Sequence, residues 1–173
     1  MFAYCLQCQT HRCKVIADLL MKRGVSQAFA PQIISRQRKL GKMIERTYDM
    51  LPGYVFVFTE KQLETFELFS DLDGLIQCLG TEDYGTAGLQ NADYGFAMNL
   101  YQRNGIIGAI SLVKAGDCVC IRDPLFDSTT GTILAIDYRK QRAKILFRFH
   151  NQDWRVWVAC DVVYQDGHNN ISG

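Results

Sequence analysis

The spacing of apolar residues changes period along the chain, and each change marks a predicted element. Phe2-Ala3-Tyr4-Cys5-Leu6-Gln7-Cys8 alternates loosely and is rich in β-formers, which predicts a strand. Thr10 is placed to cap a helix near 11–23, predicted from Val15, Ile16, Leu19 and Leu20, which recur at helical spacing up to Gly24. An extended segment starts at Ala28 to Pro31. Ile33 to Lys39 and Met43 to Tyr48 then flank Leu40-Gly41-Lys42 as a basic hairpin. After the Pro52-Gly53 turn, Tyr54-Val55-Phe56-Val57-Phe58 is apolar without a break, the pattern of a central strand covered on both faces. Leu63, Phe66 and Phe69 predict a second helix over 60–69, and Gly74 to Gly80 another strand. Residues 81–88 show no periodicity and read as loop. Asn91 or Asp93 can cap a third helix through Phe96, Leu100 and Tyr101, ended by Asn104-Gly105.

From Ala115 the period falls to two. Val119 and Ile121, Ile133 to Ile136, Ala143 to Phe149 and Trp154 to Val158 predict four short strands separated by turns, as in a small barrel. The expected organisation is an α+β domain over 1–103, a linker over 104–114, a small β-barrel over 115–165 and a tail over 166–173.

Composition narrows the class of protein. An apolar share of 48% in 173 residues is enough for a packed core, yet no run approaches the ~20 apolar residues of a membrane span. The start of the chain lacks the basic and apolar regions of a signal peptide, so the expected location is cytoplasmic, with no membrane partner. Seven cysteines, an odd count without framework spacing, fit reduced thiols better than a disulfide scaffold. Cys5-x-x-Cys8 with His11 and Cys13 is not read as a metal site, because strand residues three apart face opposite ways. The net charge of +1 hides an asymmetry: residues 1–50 carry nine Lys/Arg against three Asp/Glu, and residues 51–115 three against eight. The basic first third is an electrostatic footprint for phosphates or a solvated face. No nucleophile elbow, phosphate-binding Gly-Lys loop or His-Glu-x-x-His pattern is present, so a binding protein without cofactor is expected rather than an enzyme.

Three stretches together resemble the NusG family of transcription elongation factors. Leu51-Pro52-Gly53-Tyr54-Val55-Phe56-Val57 is similar to the family's aromatic-Pro-Gly-Tyr-Val-aromatic-Val strand, and the order of elements around it matches. Gly116-Asp117, Gly131 and Ile136-Asp137-Tyr138-Arg139-Lys140-Gln141-Arg142-Ala143-Lys144 resemble the KOW motif. Residues 104–111 are similar to LoaP-type antiterminators, specialised paralogs within the family; the RfaH type resembles the chain more distantly. The sequence departs from the family pattern at Asp123-Pro124-Leu125-Phe126 and at Thr129-Thr130-Gly131.

The resemblance implies an N-terminal NGN domain and an SH3-like KOW barrel, acting as a monomer. Phe2, Tyr4, Leu51, Pro52, Gly53 and Tyr54 would meet the clamp helices of RNA polymerase. His11, Arg12 and Lys14 at the first helix, with Arg38, Lys39 and Lys42 on the hairpin beside Arg36 and Arg46, would face upstream or non-template DNA. Arg139, Lys140, Arg142, Lys144 and Arg148 are expected to contact RNA, a leader hairpin among the targets, with His150, Trp154 and Trp157 as stacking surfaces. Leu125 and Phe126 mark a loop for a protein partner such as a ribosomal protein. Two functions stay open: an elongation or antitermination factor, and a KOW-type RNA-binding protein of ribosome assembly or translation.

Overall fold

The computed structural model describes residues 1–63, 67–79, 88–126 and 131–165. The chain divides into two compact units, Met1–Ile33 with Tyr48–Ile107, and Ile34–Thr47 with Gly108–Gly173.

In the first unit, β1 (Phe2–Cys8) passes through a 3₁₀ turn at Thr10–Arg12 into α1 (Cys13–Lys22). The helix ends at Gly24, whose φ of 88° lets the Gly24 and Val25 amides reach back to the carbonyls of Met21 and Leu20, a Schellman close. β2 (Gln27–Phe29) comes next, then the hairpin strands β3 (Gln32–Lys39) and β4 (Lys42–Asp49), whose bodies belong to the second unit. β5 (Tyr54–Thr59) starts at the Pro52-Gly53 turn, where the Tyr54 amide donates to the Leu51 carbonyl at 3.1 Å and Gly53 takes a φ of 90°. Proline second and glycine third is the residue order a type II turn requires. β6 (Leu75–Cys78), α2 (Asn91–Tyr101) and β7 (Ile106–Ile107) complete the unit.

Its antiparallel sheet runs β2-β5-β1-β6, so the apolar run of β5 sits inside, as expected. Alternation sends the two halves of that run to opposite faces. Val55 and Val57 join Tyr4, Leu6, Ile16 and Leu20 in the core beneath α1. Phe56 lies 6.2 Å from Phe96, and Phe58 lies 4.8 Å from Tyr101, between ring centroids. One expectation is corrected. In the described part of 60–69 there is no α-helix: residues 60–63 are irregular and Glu67–Phe69 forms a single 3₁₀ turn, while 64–66 lie outside the described residues. Here tertiary contacts override periodicity. The Leu63 amide donates to the Tyr4 hydroxyl at 2.9 Å, and Phe69 packs edge-on to the Tyr4 ring. The loop expected over 81–88 falls outside the described residues except at Gly88.

In the second unit, the β3–β4 hairpin turns at Leu40 and Gly41, both left-handed with φ of 49° and 78°. The unit's five-stranded sheet comprises β8 (Ile110–Ala115), β9 (Cys118–Ile121), β10 (Thr132–Asp137), β11 (Arg142–Phe149) and β12 (Gln152–Tyr164), in the order β10-β11-β12-β8-β9. β12 is long enough to serve two partners. Gln152–Ala159 pairs antiparallel with β11, and Cys160–Tyr164 pairs parallel with β8. Ile110, Leu112, Ile145, Phe147, Phe149 and Val158 are buried as the core. β8 is a fifth strand, and it begins inside the stretch expected to be linker. The tail over 166–173 lies outside the described residues. Among the described residues, no helix is long and apolar enough to cross a membrane.

Candidate nucleic-acid interface

The first unit separates the residues expected to touch polymerase by burial. Phe2 is 36% exposed and Pro52 is exposed, whereas Tyr4 and Leu51 are buried at 0% and 1%. Tyr4 and Leu51 therefore shape the surface from beneath and offer no contact area of their own. Tyr54 is 7% exposed, and burial pushes its phenol above the ordinary value.

At the start of α1, His11 and Lys14 are exposed. Arg12 is engaged: its guanidinium meets the Asp73 carboxylate at 2.7 Å and donates to the Asp73 carbonyl at 3.3 Å. A Cβ at Gly74 would stand 2.7 Å from the Arg12 side chain, so that loop approaches closely because it has a glycine there. Arg12 clasps a loop to the helix start, which leaves His11 and Lys14 as the exposed cationic or titratable side chains there.

On the hairpin, Arg38, Lys39, Lys42 and Arg46 are exposed, with the Arg38 Nε donating to the Gly41 carbonyl at 3.4 Å. Arg36 behaves differently. Its side chain is 16% exposed and its guanidinium reaches Glu45 at 3.0 Å, Asp161 at 2.7 Å and the Cys160 carbonyl at 3.4 Å. The bond to Asp161 raises its pKa further, so it is held as a cation and spent on internal pairing.

A second cationic surface is the outward face of β11 and β12. Alternation along β11 turns Ala143, Ile145, Phe147 and Phe149 into the core and leaves Arg142, Lys144 and Arg148 outside, as expected. The register sets Lys144 opposite Trp157 and Leu146 opposite Arg155, which adds a basic residue not anticipated from the sequence. The signal was present in the alternation of Arg155 with Trp157, but register across strands is not visible in one strand. Arg142 lies over the Trp157 ring at 4.5 Å. Charge on this face is partly spent: Asp137 stands 3.8 Å from Lys140 and 3.6 Å from Arg142, and Asp153 stands 3.2 Å from Arg148. Among the described residues no ion pair engages Arg139, Lys144 or Arg155.

Leu125 and Phe126, expected to mark a partner loop, point inward. They are buried at 3% and 0%, and Phe126 meets Phe147 edge-on at 5.6 Å. The residues face inward because the barrel needs a large aromatic there: Asp123 caps the turn through the Leu125 amide at 3.0 Å and aims the next ring at the core.

The cysteines are thiols, with Cys5, Cys8, Cys13 and Cys160 buried and Cys118 and Cys120 exposed. Burial pushes Cys8 and Cys78 up to about 12 and Cys160 to about 11. Among the described residues, no group of three or more His, Cys, Asp or Glu is placed to hold a metal ion.

A four-stranded sheet backed by helices in the first unit and a five-stranded sheet with cations on its outer face in the second define a two-unit α+β protein. A family model described as transcription termination factor nusG matches residues 3–89, half of the 173 residues, and the chain belongs to the NusG family of transcription factors. The solved structure described as "Domain interaction in Thermotoga maritima NusG" is similar over 91% of this chain and 93% of that one, with a TM-score of 0.55. At 14% identity that likeness is one of fold, and it supports the α+β domain followed by an SH3-like barrel. No curated protein matches the chain.

Proposed function

We propose that the chain is an accessory transcription elongation factor, similar to the LoaP-type specialised paralogs, that docks on RNA polymerase through its first unit and contacts nascent RNA through its barrel. The observation that carries the RNA contact is the face of β11 and β12, where Lys144 and Arg155 stand beside Trp157 with no carboxylate pairing them among the described residues. Cations beside a half-buried aromatic ring suit an anionic chain with accessible bases. The polymerase contact rests on the resemblance at Leu51 to Val57 and on membership of the family over residues 3–89. Phe2 and the rim of Tyr54 would supply the anchor on the clamp helices, and His11, Lys14, Arg38, Lys39 and Lys42 the cations toward upstream or non-template DNA. Holding the clamp closed favours the elongating state over the paused one, by as much as the factor binds one better than the other. The burial of Leu125 and Phe126 weighs against a protein partner at that loop, and so favours RNA over a ribosomal protein.

Affinity purification of the tagged wild type beside Phe2→Ala tests the reading, because Phe2 is exposed enough to be replaced without opening the core. Polymerase subunits recovered with wild type and depleted with the variant are expected. Ribosomal particles in place of polymerase in both samples would replace this reading with that of a translation-linked RNA-binding protein.

A further inference from the structure

Beside the basic face, the second unit holds a cleft of about 320 Å³ lined by Tyr138, Gln141, Cys160, Asp161, Val162 and Tyr164. Its volume falls at the lower end of small-ligand sites, about 300–1,000 Å³. The phenylalanines described in this unit are buried, yet Tyr138 and Tyr164 are 49% and 63% exposed. Lys114 stands between these two rings, its Nζ 5.9 Å from the Tyr138 centroid and 6.0 Å from that of Tyr164. Neither ring contributes to the core, and both distances sit at the outer limit of a cation–π contact, about 6 Å. The lysine is thus held loosely, and about half or more of each tyrosine stays exposed.

The cleft is built rather than incidental. Asp137 accepts from the Lys140 amide through its carbonyl at 3.2 Å and its carboxylate at 3.0 Å, which fixes the turn that presents Tyr138. The Cys160 amide donates to the Gln141 carbonyl at 2.9 Å, and Tyr164 pairs in register with Lys114, so both walls are tied to strands. A carboxylate in such a cleft would repel phosphate, but Asp161 is drawn into an ion pair with Arg36 at 2.7 Å. The side-chain oxygen of Gln141 accepts from Arg36 at 3.5 Å, which leaves its NH2 as a donor for a base edge.

We propose that this cleft receives an unstacked nucleobase of single-stranded RNA, stacked on Tyr138 and Tyr164, with Lys114 turned to its phosphate. The proposal rests on the reading of the barrel as an RNA-binding unit. A duplex hides its base faces, so the ligand must be single-stranded or looped. The polar floor of Gln141 and Asp161 suits a base edge better than the apolar side chain of a peptide.

The test is fluorescence anisotropy with the full chain and a labelled, unstructured RNA of roughly ten nucleotides, within the span of single-strand binding folds. Tyr138→Ala and Tyr164→Ala are each expected to weaken binding about tenfold, the loss of one base stack. Tyr138→Phe and Tyr164→Phe keep the ring and are expected to bind as wild type does, and a blunt RNA duplex to be indifferent to all four changes. Circular dichroism should show the fold intact, since both rings are exposed. RNA binding unchanged by both alanine variants would overturn the cleft while leaving the basic face standing. Equal loss in the phenylalanine variants would also overturn it, by removing stacking as the cause. No RNA binding by wild type would overturn the cleft and the RNA reading together.

Discussion

Replacing Lys144 and Arg155 together by alanine should reduce the salt dependence of RNA binding by an amount that can be counted beforehand. Each cation that neutralises a phosphate on a single strand adds about 0.7 to the slope of log affinity against log salt. Lys144 and Arg155 lie on the outer face of β11 and β12, and among the described residues neither has a carboxylate partner. Two lost contacts lower the slope by about 1.4, so the wild type's advantage shrinks about sevenfold between 50 and 200 mM salt. The difference between the two proteins is the useful quantity, because cations on the hairpin contribute equally to both. Arg148 already holds Asp153 at 3.2 Å, so Arg148→Ala should change the slope by less than one full contact. The assay is anisotropy of a labelled single-stranded RNA over a potassium chloride series. Surface changes of this kind typically cost under about 0.5 kcal/mol in stability, so the fold is not at risk. An unchanged slope in the double variant would refute the phosphate-contact reasoning. An equal effect from Arg148→Ala would refute the division into paired and free cations.

Internal pairing and burial make three further predictions. Arg36→Ala removes a guanidinium that is 16% exposed and bonded to Glu45 and Asp161; with both carboxylates more than half exposed, the expected loss is about 1–2 kcal/mol, read as a lower urea midpoint. A midpoint unchanged within error would show the clasp to be ornamental. Among the thiols, Cys118 and Cys120 should react with a disulfide reagent before global unfolding, while Cys5, Cys8 and Cys160 stay silent. Because burial raises Cys8 and Cys78 from 9.0 to about 12, their neutral forms support the fold fully below pH 9. That support is lost as pH rises from 9 toward 12, since the unfolded chain releases those protons first. Flat stability across pH 8 to 11 would contradict this.

The strands up to Thr59 were legible because two-sided burial leaves an unbroken apolar run, as at Tyr54–Phe58 of the first unit, or because turn chemistry brackets them, as at Leu40-Gly41 of the second. The helix over 60–69 misled because Leu63 and Phe69 are held by Tyr4, a residue about sixty positions earlier that no local window contains. β8 escaped notice because Ile110 and Leu112 alternate over too few residues to stand out from a linker, and its partner β12 pairs with it only through chain closure. At the candidate sites, the residue types were legible and their availability was not. Arg12, Arg36 and Arg148 look alike in sequence, yet Asp73, Asp161 and Asp153 claim them in the fold. Tyr138 and Lys114 come together only across strands, through register with Tyr164.

The bond between Arg36 and Asp161 also has a consequence for synthesis. The two residues are 125 positions apart, so the hairpin leaves the ribosome long before its partner exists. At about 5–20 residues per second the delay is roughly 6–25 s. During that interval Glu45 is the only one of the two carboxylates available to Arg36. The hairpin cations are then exposed on a strand pair that has no finished unit to belong to. β12 supplies Asp161, the second wall of the cleft and the pairing for β8, so the second unit cannot close until this last of its described strands is made. The nascent chain therefore has the strands of its first unit in hand while its second unit waits for β12.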